Sequence, residues 1–340
     1  MKFIKIIQKR NKINMKKLLT VAVLALYSAV GFAQQDPQFS QNMYNRMAVN
    51  PAYAGSNGFL CGTLLGRQQW AGFGGGPRTL AFSADMPIMK ETNFPGGVGL
   101  TVIADKLGFE SSVYAKGAYA YRMPLGSGSL GIGLELGMLN KSFSGDFKPT
   151  EGGKGSASQD KFIPFDGVSK TGFDLGFGVH YNVPNKYYAG FSISHLNAPK
   201  YTVDKAGSGL SYLMARHIYF MAGYEYELPN MPELILRPNL FVKSSFASTQ
   251  IDLNVNALYN NMIWGGVSMR FFGTDAVIPM FGYQGVAFNG KGNYRIGYSY
   301  DVTLSKIRTQ SSGSHELMLG FCYDITPKVN VTKYRNVRML

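Results

Sequence analysis

The sequence predicts an all-β protein: a transmembrane up-and-down β-barrel of the outer membrane, with about 14 antiparallel strands and a short helical N-terminal segment. Three observations predict it. Apolar and polar residues alternate with period two through most of the chain. Charged residues sit in the middle of the polar faces. Connections are long on one side and tight on the other.

The front of the chain is separated first. Lys16 and Lys17 precede the apolar run "LLTVAVLALYSAV", and the small residues Gly31 and Ala33 follow. That is the layout of a secretory signal peptide over residues 1–33, cut after Ala33. The run is short for a membrane-spanning helix. The basic stretch ahead of it is unusual for a signal, and Met15 is an alternative start. Residues 1–33 hold seven Lys or Arg and no acid, so the formal charge falls from +14 to +7 without them. Half the basic excess is therefore targeting sequence, and a nucleic-acid partner is not expected. Gly is abundant at 41, aromatics reach 14% and charged residues only 16%, a balance suited to short strands and turns.

Four stretches show the alternation most clearly. In "GSLGIGLELGM", Leu130, Ile132, Leu134, Leu136 and Met138 oppose Gly131, Gly133, Glu135 and Gly137. In "GFDLGFGVHYN", Phe173, Leu175, Phe177 and Val179 oppose Asp174, Gly176, Gly178 and His180. In "TQIDLNVNALY", Ile251, Leu253 and Val255 oppose Asp252, Asn254 and Asn256. In "NYRIGYSYDVTLS", Tyr294, Ile296, Tyr298 and Tyr300 oppose Arg295, Gly297, Ser299 and Asp301. Each reads as a strand with one apolar and one polar face. Fourteen such strands are predicted over 59–70, 78–88, 97–105, 110–123, 129–141, 170–182, 186–196, 212–228, 233–247, 250–259, 262–272, 276–288, 293–305 and 314–325. The connections "PLGSG", "VPNK", "PNMP" and "YNNM" are tight; those over 142–169 and 197–211 are long. Long loops outside and short turns inside are the asymmetry of outer-membrane barrels.

A soluble sandwich or barrel also alternates. Fourteen strands with an apolar inner face would enclose a dry interior too large for side chains to fill. Turning the faces over removes the problem: apolar residues meet lipid and polar ones line the lumen. Tyr and Phe near strand ends then form girdles. The predicted lumen carries both signs, with Glu135, Asp174, Arg237, Asp252, Arg270, Arg295 and Asp301 among the lumen-facing residues. Confined charges are stable only when paired or hydrated, so they either cross-link the wall or grip something inside.

Residues 34–57 precede the barrel, predicted over 58–326. Asp36 is a candidate N-cap and Pro37 a candidate first helical residue. Phe39, Met43 and Met47 recur every four residues, as on one helix face. Asn50-Pro51 then ends the helix, and Tyr53 and Gly55 lead the turn into the first strand. An amphipathic helix beside a charged lumen predicts a plug or cap at the periplasmic mouth; a spacer left by the signal is the alternative. A basic tail over 327–340 is expected on the periplasmic side.

"DPQFSQNMYNRMAVNPAYAG" resembles the opening signature of the PorP/SprF family of type IX secretion membrane proteins of Bacteroidetes. The likeness continues, in family order, in "GRQQWAGFGGGPRTLAFSADMP", "SISHLNAP", "YRIGYSYDVTLS" and "GSHELMLGFCYD". The resemblance implies an outer-membrane barrel without enzymatic activity or cofactor. Such a barrel serves secretion or gliding motility, and holds a secreted adhesin or filament protein at the cell surface. The shared positions are Asn50, Pro51, Tyr53 and Gly55; Arg67, Trp70, Gly72 and Pro77; His195, Asn197 and Pro199; Tyr298 and Asp301; Gly313, His315 and Glu316.

First and last strands adjoin at barrel closure, so Trp70, Pro77 and the "GFGGGPR" loop can form one outer rim site with His315. The candidate rim residues are Arg67, Trp70, Gly72, Pro77, His195, Asn197, His315 and Glu316; seam packing with a girdle tryptophan is the alternative. Cys61 and Cys322 are the only cysteines, with no CxxC pattern for zinc or redox chemistry. Both fall on the lumen face, at the periplasmic ends of the seam strands. They either form a disulfide in the oxidising compartment or remain separate small apolar residues. No nucleophile motif accompanies His195 or His217, and no HExxH, P-loop or EF-hand loop is present.

The expected function is therefore binding. The barrel anchors, or assists secretion of, a cell-surface protein through that protein's C-terminal region. Type IX periplasmic and outer-membrane components and outer-membrane lipid are its other partners. A passive or substrate-specific porin is the first alternative, and a barrel enzyme using His195 or His315 the second.

Overall fold

The computed structural model describes residues 36–88, 95–144, 168–205, 208–272 and 275–325. The expected signal peptide (1–33), most of the 142–169 loop and the basic tail (327–340) lie outside the described residues.

The strands are β1 (Leu60–Gln68), β2 (Arg78–Ile88), β3 (Gly96–Leu107), β4 (Glu110–Leu125), β5 (Gly128–Phe143), β6 (Val168–Val183), β7 (Tyr187–Ser194), β8 (Lys200–Lys205), β9 (Ser208–Leu213), β10 (His217–Tyr224), β11 (Tyr226–Leu228), β12 (Met231–Ser244), β13 (Thr249–Tyr259), β14 (Ile263–Phe271), β15 (Ala276–Ala287), β16 (Gly292–Thr303) and β17 (Ser314–Tyr323). Each wall strand pairs antiparallel with its sequence neighbour, and β1 pairs with β17 to close the cylinder. Among the described residues, β1–β7, β10 and β12–β17 make a closed wall of fourteen strands. Each overlaps one of the fourteen predicted segments.

Two details differ from the sequence reading. The 197–211 connection carries a hairpin, β8 against β9, separate from the wall; the loop is two short strand-like runs around a central Gly. The strand predicted over 212–228 is interrupted at Glu225, whose N–H donates to the Lys186 carbonyl instead of the ladder. β11 therefore continues β10 along β12, with a register shift at Glu227/Leu228.

The two faces sort as lipid and lumen. Leu134, Leu136 and Met138 are 61%, 56% and 63% exposed, while Glu135 between them is 3% exposed. The apolar stripe thus faces outward and the carboxylate inward. Tight turns join β4 to β5, β6 to β7 and β13 to β14 at the end where β1 starts and β17 finishes. That is the periplasmic end of an outer-membrane barrel; the longer loops lie outside. Tyr121, Tyr187, Tyr226, Tyr259 and Tyr283 stand exposed near the periplasmic end, and Phe109, Phe173, Phe246 and Phe272 near the outer end. These are the two aromatic girdles.

Because the lipid face carries the insertion energy, Leu134→Arg is expected to lower unfolding stability in lipid vesicles by about 2–4 kcal/mol. Urea titration followed by tryptophan fluorescence measures it.

Candidate functional site

The lumen is occupied by the N-terminal segment. From Asp36 in the outer half the chain runs down the barrel to Gly58 at the periplasmic end. The sequence reading expected a plug or cap at the periplasmic mouth; the segment lies higher and fills the depth of the lumen. Nor does it form one amphipathic helix from Asp36. It makes three one-turn 3₁₀ segments, η1 (Asn42–Tyr44), η2 (Arg46–Ala48) and η3 (Pro51–Tyr53). Asn50-Pro51 does not end a helix but starts η3, with Pro at its first position and the Asn50 side chain accepting from Ala52 N–H.

The physical reason lies in the wall, whose lumen face is not polar throughout. Phe39 packs with Leu65, Ala81, Ile103, Tyr114 and Leu139. Met43 packs with Leu258, Trp264, Ile278 and Met318. Met47 packs with Ala54, Ala118 and Ala120. The three apolar side chains that a helix would align on one face instead enter three separate clusters around the wall.

Charge fixes the upper segment. The Ser40 hydroxyl donates to Asp301 Oδ1 at 2.7 Å and accepts from Arg67 Nη1 at 2.7 Å and Arg270 Nη2 at 3.3 Å. Its one hydrogen and two lone pairs are all used. The Ser40 and Gln41 N–H groups donate to the two oxygens of Glu316, at 2.8 and 2.7 Å. Around them Arg67 bridges Asp301 at 2.7 Å and Glu316 at 3.1 Å, and Arg270 bridges Asp301 at 2.9 Å and Asp252 at 3.1 Å. Five buried ionic side chains from five strands thus close on one serine and two amides of the plug.

A second chain of charges reaches the plug from the other side. Lys116 lies 2.9 Å from Glu135 and 3.6 Å from Asp174. His195 stands between Asp174 and Asp36, with 2.9 Å to each carboxylate. Asp36 does not cap a helix: its carboxylate takes His195 and the Tyr219 hydroxyl, its N–H donates to His217 Nε2, and Lys243 donates to its carbonyl. Asp36, His195 and His217 bring ligand-type atoms within 4.8 Å of one another. Those atoms are engaged by hydrogen bonds beside the Lys243 ammonium, which opposes a metal cation.

Lower down, Arg122 donates to the carbonyls of Ala52, Tyr53 and Ala54 at the end of η3. Gly55 N–H donates to Asp85, and the Asn50 amide donates to the Val179 carbonyl. The backbone approaches the wall closely here. A Cβ on Gly133 would lie 2.3 Å from Ala52 N, and one on Gly178 would lie 2.2 Å from Asn50 Oδ1. These glycines, on the polar faces of β5 and β6, leave the space that η3 occupies.

Below the plug a cavity of about 490 Å³ remains at the periplasmic end. Its lining includes Tyr44, Arg46, Tyr53, Glu225, Arg237 and Arg295. Arg46 stacks over Tyr188 at 3.7 Å and Arg295 over Tyr44 at 4.4 Å. Arg237 pairs with Glu225 at 3.3 Å. Cys61 and Cys322 are direct cross-strand partners on this lining and are joined as a disulfide in the structure.

The candidate rim residues do not form one site. Arg67 and Glu316 are buried in the lumen network because strand parity turns them inward; His195 lies just past the end of β7, where a left-handed backbone (φ 57°) accompanies its turn into the same network. His315, one residue before Glu316, turns outward and meets the Tyr298 hydroxyl at 2.7 Å. Trp70 packs edge-on against Phe73, and Gly72 and Pro77 belong to the same outer loop, where Pro77 accepts from Gln69 N–H. Asn197 bonds the Phe173 carbonyl near the top of β6. Of the seven residues expected in the lumen, Glu135, Asp174, Asp252, Arg270 and Asp301 are buried, and Arg237 and Arg295 line the periplasmic cavity. Sequence reasoning placed Arg122 on the polar face but missed Ser40 and the role of the lumen glycines. The glycines were visible as gaps in an otherwise charged face.

The model of the family described as type IX secretion system membrane protein PorP/SprF matches residues 31–321. No curated protein matches the chain. Among solved structures, a deletion mutant of the TodX monoaromatic hydrocarbon channel is 10% identical, covering 81% of this chain and 92% of its own, at a TM-score of 0.46. The Ralstonia pickettii toluene transporter TbuX is 12% identical, with coverage of 81% and 92% and a TM-score of 0.44. The Acinetobacter baumannii outer membrane protein Omp33 is 7% identical, with coverage of 78% and 98% and a TM-score of 0.36. Likenesses this distant carry no argument about what the chain does.

Removing one partner of a buried ion network costs more than the pair contributes. Arg270→Leu, which leaves Asp252 and Asp301 short of a cation, is expected to lower stability by about 3–5 kcal/mol. Combined with Ser40→Ala, it should show a coupling of about 0.5–3 kcal/mol in a double-mutant cycle by urea titration.

Proposed function

Because the chain belongs to the PorP/SprF family of type IX secretion system membrane proteins, we propose that it is a plugged outer-membrane barrel that binds and anchors a polypeptide instead of conducting solutes. The ligand is the C-terminal region of a secreted surface protein, or a type IX component that presents it. The barrel is fixed in lipid, and its partner is thereby fixed to the membrane.

The observation that carries this reading is the occupied lumen. Ser40, Gln41, Asn50, Ala52 and Ala54 have no exposed surface, and the Ser40 network ties the segment to an arc of the wall from β1 through β17 and β16 to β13. A porin needs that volume free. What stays open is the periplasmic cavity, where guanidinium groups held on tyrosine faces suit carboxylates and aromatic side chains of an extended chain. The enzymatic alternative loses support, since His195 is enclosed between two carboxylates while His315 lies on the opposite face of the wall.

The intact protein is expected to give no stable conductance steps in a planar bilayer, and deletion of residues 34–57 to open it. Stable steps from the intact chain would favour the porin. In cells, a photo-cross-linker at Asn239, on the lining of the periplasmic cavity, should capture a surface-protein C-terminal region or a type IX component. Arg46→Gln with Arg295→Gln should reduce that adduct by about tenfold, and an adduct unchanged by the double substitution would remove the cavity from the account.

A further inference from the structure

The outer wall carries a polar row that the binding function does not use. At the outer ends of β16, β17, β1, β2 and β3, direct cross-strand partners run Tyr300, His315, Gln68, Arg78, Lys106. All five share the parity of the lipid-facing residues. The next residues down the same face are apolar and exposed: Leu317, Leu80 and, one step lower, Leu319, Leu64 and Phe82. The row therefore lies on the lipid side, at the level where acyl chains give way to headgroups.

Arg78 and Lys106 are exposed and directly opposite each other, and among the described residues neither has an acidic partner. Like charges facing across two strands repel. The nearest carboxylate in sequence, Asp105, has the other parity and accepts from Thr79. Above the pair, residues 69–76 fold over an open niche of about 480 Å³ lined by Gln68, Trp70, Phe73, Arg78 and Lys106. The overhang is built. Ala71 and Gly313 are joined at 2.7 Å, Ser312 N–H donates to the Ala71 carbonyl at 2.7 Å, and Gly108 N–H to the Gly75 carbonyl at 3.1 Å.

We propose that this niche binds the phosphorylated headgroup of an outer-leaflet glycolipid. One phosphate bridges the Arg78 guanidinium and the Lys106 ammonium, with Gln68 hydrogen-bonding beside it. The acyl chains lie down the Leu80, Phe82 and Leu64 surface. A phosphate between the cations turns their repulsion into two charge-assisted hydrogen-bonded pairs. Its source is the lipid, because Gln68, Arg78 and Lys106 stand on the lipid-facing parity directly above an apolar belt.

The test uses the full-length protein in nanodiscs containing bisphosphorylated lipid A or its dephosphorylated form, with retained lipid counted by native mass spectrometry. The wild type is expected to retain the phosphorylated lipid about tenfold better. Arg78→Gln with Lys106→Gln should abolish that preference while the barrel keeps its heat-modifiable mobility. Equal retention of both lipids by the wild type, or the same preference in the variant, would overturn the proposal. So would displacement of the lipid by millimolar inorganic phosphate, since the site would then take the free anion. Arg78→Lys, which keeps the charge but not the planar fork, should retain part of the preference.

Discussion

A buried charge has to meet its counter-charge inside the protein, and the rest of this structure depends on that requirement. Asp252, Asp301 and Glu316 face Arg67 and Arg270 in a lumen closed to water. Three carboxylates and two guanidiniums do not balance by themselves. The deficit is met by hydrogen bonds from the plug: two backbone amides on Glu316 and the Ser40 hydroxyl on Asp301. The wall and the N-terminal segment are thus incomplete without each other. Desolvating one unpaired carboxylate costs several kcal/mol, so the segment that excludes water from these groups also has to supply the hydrogen bonds that replace it.

The same constraint explains how a segment without a continuous helix holds one path. Short 3₁₀ turns satisfy part of its backbone, and the wall satisfies other groups. Arg122 takes three carbonyls, Asp85 one amide and Ser192 the Val49 carbonyl. Apolar anchors fix the rotation around the axis, and lumen glycines fix the depth of approach. Outside, the wall answers to a different solvent and needs only an apolar belt between two aromatic girdles.

Period-two alternation is a local property, and the sequence therefore carries the strands, their number and the face each residue takes. The long connection near 200 was harder, because a hairpin away from the wall alternates as the wall does. The plug was legible as a specified segment but not in its form. Phe39, Met43 and Met47 have helical spacing, yet their partners are spread over β1–β5, β13–β17 and β4, and sequence spacing carries no information on that spread. Parity also turns neighbours apart: Glu316 enters the lumen while His315 faces out, so the rim candidates divide between the lumen and the outer face although the first and last strands adjoin. The signal that was available is the run of glycines on the polar faces of β5 and β6. In a lumen that otherwise holds long ionic side chains, missing side chains mark where another backbone lies.

Backbone hydrogen exchange over residues 36–57 in the lipid-embedded protein tests the central claim most directly. A plug held by Glu316, Arg122 and Asp85 predicts that the amides of Ser40, Gln41, Ala52 and Gly55 exchange as slowly as those of the wall strands. Exchange of these four amides at the rate of an unstructured peptide, with the strands still protected, would contradict it.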